Sequence, residues 1–147
     1  KVTAMEQVVE VMDRGDEMVA RNLAVAAEHI ENEARDPASV MDLYTDDIVL
    51  EVPGRGLYLD SKAAIEANYR RMFASLAEVE LEPLDRFATE TRVVDDMKVR
   101  FRLTGDGMVN APVAIGARVE LRLVHVFHMR GGRIAREIVH EEWRTIG

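Results

Sequence analysis

The chain has 147 residues, of which 48% are hydrophobic and 31% charged, and its formal net charge is −8. This length is typical of one domain with its own hydrophobic core, and we expect a single domain over residues 1–147. The acidic charge argues against nucleic acid and anionic membranes as main partners. The absence of cysteine excludes disulfide bonds, thiolate catalysis and sulfur-ligated zinc.

The first third of the chain has the spacing of helices. A short apolar stretch ends at Gly15 and predicts a leading helical arm over residues 1–15. Beyond it, apolar residues recur three and four positions apart as far as Ala34, which predicts one long helix. Pro37 ends that helix because the residue before a proline avoids helical angles, and a short helix follows.

The hydrophobic period then changes. Residues 48–52 alternate as in a strand, and Ser61 begins another helix. From Val79 onward the period is two almost throughout, and Gly131-Gly132 predicts a hairpin turn. Helices, a strand, a helix and a four-stranded antiparallel meander together predict an α+β fold.

Strand alternation assigns the later residues to two faces. We expect the charged face to be the outer one, paired across strands, and to offer a self-complementary surface for a homodimer. Its residues are Arg100, Arg102, Glu120, Arg122 and His128. The opposite face is predicted to meet the helices. It contains Met97, Val99, Phe101, Leu121, Leu123, His125 and Phe127.

Several kinds of catalytic motif are missing from the sequence. It has no dinucleotide-binding loop, P-loop, serine nucleophile elbow or HExxH motif. His125 and His128 are three residues apart on a predicted strand and therefore point to opposite faces, which argues against a shared metal ion. We expect no metal and no cofactor, and acid–base catalysis by His, Glu, Asp and Tyr side chains.

His125 is the most informative of these residues. An imidazole in an apolar, inward-facing row is either hydrogen-bonded inside the core or faces a cavity. Burial habits alone favour the core histidine. The cavity interpretation gains support from a family resemblance.

That resemblance rests on three segments of the chain. They are YTDDIVLEVPG at residues 44–54, AAI with a following Tyr69, and HVF with GGRI between residues 125 and 134. Over about residues 16–144 the sequence resembles the nuclear-transport-factor-2-like superfamily, especially its SnoaL-like and ketosteroid-isomerase-like branch. The resemblance implies a cone: a curved antiparallel sheet wrapped around N-terminal helices, with an internal apolar pocket. Members include isomerases, cyclases, dehydratases, epoxide hydrolases, lyases and non-catalytic binding domains.

The resemblance also implies roles for individual positions. Two positions that carry aspartates in family enzymes are valines here, Val52 on the first strand and Val139 on the last. His125 takes the position of the oxyanion-hole acid, and the tyrosine donor on the long helix corresponds to Glu28 or His29. Tyr44 and Tyr69 match tyrosines that support this donor.

Glu137 and Glu141 share a face with Val139 and could replace the missing aspartate. A carboxylate inside an apolar cone has its pKa raised, as a general acid or base requires, whereas a carboxylate at the rim stays in water. The sequence leaves both positions open for Glu137.

These considerations give two predicted sets of site residues. The predicted catalytic residues are His125, Glu137, Tyr69 and His29. The predicted substrate-binding residues are Tyr44, Val52, Tyr58, Asn68, Met72, Phe101, Phe127, Val139 and Glu141.

We therefore expect a cofactor-independent lyase, isomerase or cyclase that acts on a small apolar or aromatic compound by proton abstraction with oxyanion stabilisation. Isomerisation, cyclisation, dehydration and retro-aldol cleavage all fit this set of side chains. The alternative is a non-catalytic small-molecule-binding or dimerisation module of the same fold. The sequence has no secretory signal pattern and no run of about 18 apolar residues, so we expect a cytoplasmic protein without a membrane partner.

Overall fold

A computed structural model describes residues 3–147, apart from the side chains of residues 11 and 12. The start of the predicted leading arm, Lys1 and Val2, lies outside the described residues. The helices are α1 (Ala4–Asn32), α2 (Pro37–Val40) and α3 (Lys62–Ala74), with short 3-10 turns at Met41–Leu43 and Pro53–Arg55. The strands are β1 (Tyr44–Val52), β2 (Leu57–Leu59), β3 (Leu76–Ala88), β4 (Arg92–Leu103), β5 (Arg118–Arg130) and β6 (Arg133–Thr145).

Helix α1 is a single element. It begins with a capping box in which Thr3 accepts a hydrogen bond from the backbone of Glu6 and the Glu6 side chain accepts one from Thr3. The predicted break at Gly15 is wrong, because the helix continues through it. One internal glycine weakens a helix by about 1 kcal/mol, which does not end it when its neighbours favour the helix. The atoms nearest to a Cβ built at Gly15 belong to the end of the flexible Glu90 side chain, which can move, so the structure does not require glycine here.

The sheet has the order β2-β1-β6-β5-β4-β3. Strands β3 to β6 form the predicted antiparallel meander. Gly131 and Gly132 make the β5–β6 turn with φ angles of 59° and 75°, a conformation that glycine adopts easily. Strand β1 pairs parallel with β6 and antiparallel with β2, so the curved sheet is antiparallel in all but one pairing. The predicted α+β cone is confirmed.

Charged side chains on the outer face of the meander pair within the chain. Arg100 lies 3.0 Å from Glu120, as predicted, and 3.2 Å from Glu82. Arg122 pairs with Asp96 at 2.6 Å. These internal pairs are compatible with the predicted homodimer surface, and the dimer stays a prediction.

The inner face of the meander holds much of the core. In β4 the buried residues alternate strictly from Val93 to Leu103, and Asp95 is the charged member of that row. In β5, His125 occupies an equivalent inward position between the partly buried Leu123 and the buried Phe127. The inner face packs against α1 and α3, and the space left between them is the candidate site. In the described part of the chain, no helix combines the length and apolar character needed to cross a membrane.

Candidate active site

A cavity of about 310 Å³ lies between the inner sheet face and the helices. This volume is at the low end of the range of about 300–1,000 Å³ that is usual for small-molecule sites. Most of the wall is apolar. The polar residues that line it are Glu33, Arg55, Asn68, Tyr69, His125, Glu137 and Glu141.

Most of the predicted site residues lie on the cavity wall. They are Val52, Asn68, Tyr69, Met72, Phe101, His125, Glu137, Val139 and Glu141. His29, Tyr44 and Phe127 are fully buried and do not line the cavity, and the substrate-binding roles of Tyr44 and Phe127 stay predictions. Tyr58 is 58% exposed on the short edge strand β2 and does not line the cavity, and its role in substrate binding also stays a prediction.

Four of the predicted residues form one buried hydrogen-bonded cluster. Nε2 of His29 lies 2.9 Å from the Tyr44 hydroxyl and 3.2 Å from the Tyr69 hydroxyl. Tyr69 donates to Oε2 of Glu137 at 2.9 Å, and Tyr44 donates to the same oxygen at 3.1 Å. Elements α1, β1, α3 and β6 each contribute one of these side chains, so the cluster ties the helices to the sheet.

The cluster holds Glu137 in its ionised form. Burial alone would raise the pKa of Glu137, but the charge of His29 and hydrogen bonds from His29 and Tyr69 outweigh burial and lower that pKa to about 2. Burial also opposes protonation of His29, yet the neighbouring Glu137 carboxylate raises the pKa of His29 above 6.5. The predicted rise in the pKa of Glu137 is therefore wrong, although Glu137 is inside the cone.

The carboxyl group with the raised pKa is that of Glu33. Burial and the charge of Glu137 raise the pKa of Glu33 to about 8, although His29 opposes the shift. Glu33 caps the C-terminal end of α1 and lines the cavity, and its Oε2 lies 3.4 Å from Nδ1 of His29. The sequence interpretation missed this residue. The spacing of four between His29 and Glu33 on a helix was the available signal, because it places both side chains on one face.

His125 lines the cavity and is only 4% exposed. Its ring stacks on Phe127, with centroids 5.7 Å apart and an interplanar angle of 4°. Burial and the nearby His29 lower the pKa of His125 against the opposing charges of Glu137 and Asp95, so the imidazole is neutral near pH 7. Nδ1 of His125 is buried without a hydrogen-bond partner.

Asp95 lies directly opposite His125 in the β4–β5 register. It is 3% exposed, and its Oδ2 lies 3.8 Å from Nδ1 of His125. Its other oxygen accepts a hydrogen bond of 2.9 Å from Nε of Arg86. The sequence interpretation missed Asp95 too, although an acidic residue in the inward row of β4 is the same kind of signal that identified His125.

A buried ion pair forms the wall toward β1 and β2. Arg55 donates to Glu141 through Nε at 2.9 Å and Nη2 at 3.3 Å, and both side chains are 4% exposed. Nη1 of Arg55 donates to the carbonyl of Val109 at 2.8 Å, and Asn110 donates to the carbonyl of Arg55 at 2.8 Å. These bonds attach the loop between β4 and β5 to the turn after β1.

His29, Glu33 and Glu137 place three potential metal-ligand atoms within 4.8 Å of one another. However, His29 faces Glu33 with Nδ1 and Glu137 with Nε2. Because the two nitrogens of an imidazole point in different directions, an ion about 2.0–2.1 Å from one nitrogen approaches only one of the carboxylates well. The geometry fits an imidazole between two carboxyl groups, each 3.4 Å away, better than a metal centre.

Solved structures of other proteins share this fold at low sequence identity. The structure of an LEH-like epoxide hydrolase from M. tuberculosis is 17% identical with a TM-score of 0.64, over 84% of each chain. A SnoaL-like polyketide cyclase structure from Shewanella putrefaciens CN-32, described there as putative, is 13% identical with a TM-score of 0.67, over 82% of this chain and 88% of the other. An epoxide hydrolase/cyclase-like enzyme with a role in pyran ring formation in the polyether salinomycin is 18% identical with a TM-score of 0.65, over 84% of this chain and 92% of the other.

No curated protein matches the chain. The family model of the SnoaL-like domain matches residues 27–137, which include His29, Glu33, Asp95, His125 and Glu137. This match covers well over half of the chain. The chain therefore belongs to the SnoaL-like domain family.

Proposed function

We propose that the protein is a cofactor-independent acid–base enzyme that binds a small, largely apolar carbonyl or aromatic compound in its cavity. The observation that carries this proposal is one pair of side chains on the same apolar wall. His125 has a lowered pKa and Glu33 has a pKa raised to about 8. Near pH 7 the cavity thus offers a neutral base and a protonated acid together, the complementary pair that general acid–base catalysis requires.

In the proposed mechanism His125 is the base. Its neutral imidazole accepts a proton from a carbon next to a carbonyl group, or from a hydroxyl group, of the bound compound. The imidazolium that forms is stabilised by the charge of Glu137, which favours protonation of His125. The apolar wall excludes water and strengthens this attraction.

Glu33 is the proposed acid. Its carboxyl proton is donated to the oxygen on which negative charge develops, which is the oxyanion stabilisation that the reaction needs. The hydroxyl of Tyr69 already donates to Glu137, so it supports Glu137 in place of binding the oxyanion itself. Glu137 in turn favours the protonated form of Glu33. Glu137, Tyr69 and His29 therefore do not contact the substrate in this mechanism. They act by setting the protonation of Glu33 and His125.

This acid–base pair suits isomerisation, aldol-type cyclisation, dehydration or retro-aldol cleavage. Each begins with proton removal next to a stabilised anion. Cyclase and epoxide hydrolase-like proteins of the same fold support a reaction in this range. The proposed substrate is not an anion, because Arg55, the one arginine among the described residues that line the cavity, is already paired with Glu141.

Hydrogen–deuterium exchange next to a carbonyl group tests the proposal without knowledge of the natural substrate. Small cyclic ketones such as 2-tetralone are incubated with the protein in D2O, and incorporation is followed by mass spectrometry. We expect exchange above the buffer rate and a loss of about 100-fold or more in His125→Gln, the usual scale of general acid–base catalysis. His140→Gln is the matched control, because His140 is exposed on β6. Equal exchange in wild type and His125→Gln across the panel would contradict the proposal.

One observation favours a second candidate, a small-molecule-binding module without catalysis. Val52 and Val139 line the cavity at positions where the family resemblance implies aspartates. A binding module would take up the ketones, measured by calorimetry, and would show no exchange. The enzyme is expected to show both uptake and exchange.

A further inference from the structure

We propose that Asp95 is the positioning residue of His125: its carboxylate holds the Nδ1 proton, so that Nε2 is the nitrogen that accepts a proton. This inference rests on the proposed function for its catalytic consequence, since His125 is the base there. The contact itself is a property of the free protein and can be tested alone.

Asp95 lies where a carboxylate needs polar partners. It occupies an inward position of β4 between the buried residues Val93 and Met97, opposite His125 on β5. A carboxylate in an apolar row loses its hydration, which costs several kcal/mol unless polar partners replace the water. Asp95 therefore needs a partner for each of its two oxygens.

Two buried polar atoms at the same place lack hydrogen-bond partners. Oδ2 of Asp95 and Nδ1 of His125 are both without a hydrogen bond, and they lie 3.8 Å from each other. A buried polar atom without a partner costs about 1–3 kcal/mol. Closing this gap by about 1 Å would pair both atoms in one charge-assisted hydrogen bond of ordinary length. It requires the Nδ1–H tautomer of His125.

Neighbouring side chains hold the Asp95 carboxylate and the His125 ring in orientation. Arg86 from β3 donates to Oδ1 of Asp95 at 2.9 Å, so Oδ2 is the oxygen that remains for His125. Phe127 stacks on the His125 ring and fixes its plane.

The charged groups around His125 decide how the contact affects its titration. Glu137 on β6 and Asp95 on β4 favour the imidazolium, while burial and His29 on α1 disfavour it. Removing the charge of Asp95 removes one of the favourable contributions. In Asp95→Asn we therefore expect the pKa of His125 to fall further, and the acid limb of exchange activity to move to lower pH.

The test is nitrogen-15 NMR of the histidine rings in wild type, Asp95→Asn and Asp96→Asn. Asp96 is the matched control, because it faces the opposite side of β4 and pairs with Arg122. We expect the Nδ1–H tautomer of His125 in wild type and in Asp96→Asn. In Asp95→Asn we expect loss of that tautomer preference, a lower pKa of His125 and an exchange rate reduced at least about 10-fold with little change in KM.

Two outcomes would overturn the inference. The first is an Nε2–H tautomer of His125 in the wild type, a measurement that needs no variant and so does not depend on Asp95→Asn folding. The second is an unchanged tautomer and titration of His125 in a folded Asp95→Asn. A third outcome separates the two proposals. If Asp95→Asn shows the predicted NMR changes but the wild type shows no ketone exchange, the positioning contact is supported and the proposed function is contradicted.

Discussion

The hydroxyl of Tyr69 lies 2.9 Å from Oε2 of Glu137, which joins the middle of α3 to β6 beneath the cavity. Both residues are nearly inaccessible, with 4% and 1% exposure. Burial and the charge of Glu137 raise the pKa of Tyr69 well above 10, so the phenol keeps its proton and remains a donor. This buried hydrogen bond thus connects two elements of the fold and also holds the Glu137 carboxylate, whose charge shifts the pKa values of Glu33 and His125.

Tyr69→Phe is expected to lower the free energy of unfolding by about 1–3 kcal/mol, because a buried carboxylate loses one of its donors. Urea unfolding at pH 7 measures the change. Tyr58→Phe is the control, since Tyr58 is 58% exposed and has no such partner to lose. Equal stability of the two variants would contradict the assigned contact.

Glu33→Gln is expected to remove the alkaline limb of ketone exchange. In the wild type, activity should rise as His125 loses its proton below pH 6.5 and fall as Glu33 loses its proton at about pH 8. Glutamine cannot titrate, so the fall near pH 8 should disappear from the pH–rate profile while the maximal rate drops. An alkaline limb that persists in the variant would assign the acid to another group.

The same substitution is expected to change how stability depends on pH. The pKa of Glu33 is about 8 in the folded chain and near its usual 4.5 when unfolded, so folding favours the protonated form. The wild type therefore loses stability as pH rises from 4.5 to about 8, and Glu33→Gln avoids this loss. Urea midpoints below and above this window should show a gain for the variant that increases with pH. A gain that stays constant across the window would contradict the raised pKa.

Glu141→Gln is expected to destabilise the fold by about 3 kcal/mol, because it leaves the buried Arg55 guanidinium without its counter-charge. The control is Glu51→Gln, which breaks the pair with Arg136 at 2.6 Å on the outer face. Both side chains of that pair are partly exposed, and its loss should cost less than about 1 kcal/mol. Similar costs in urea unfolding would show that the Arg55–Glu141 pair is solvated.

The sequence was sufficient for the architecture because period and turn chemistry are local properties. Alternation identified the meander, and Gly131-Gly132 marked the last hairpin. Ser61 marked the start of α3, where its side chain accepts a hydrogen bond from the backbone N–H of Ala64. Gly15 was misinterpreted because one internal glycine costs only about 1 kcal/mol, which helix-favouring neighbours outweigh.

The site was less predictable because its chemistry depends on distances between elements. Alternation placed His125 on the inner face and left Glu137 either inside the cone or at its rim, and it could not show that His29 from α1 reaches Glu137 and lowers its pKa. The group with the raised pKa was consequently assigned to the wrong residue. Glu33 and Asp95 were visible as pattern breaks, yet their partners on other elements give them their roles.

The most direct test of the central claim is the NMR titration of His125 and Glu33 in the free wild-type protein, which needs no substrate. We predict that His125 titrates below pH 6.5 and Glu33 at about pH 8. A neutral imidazole and a protonated carboxyl group therefore share the cavity at pH 7. A charged His125 beside an ionised Glu33 at pH 7 would contradict it.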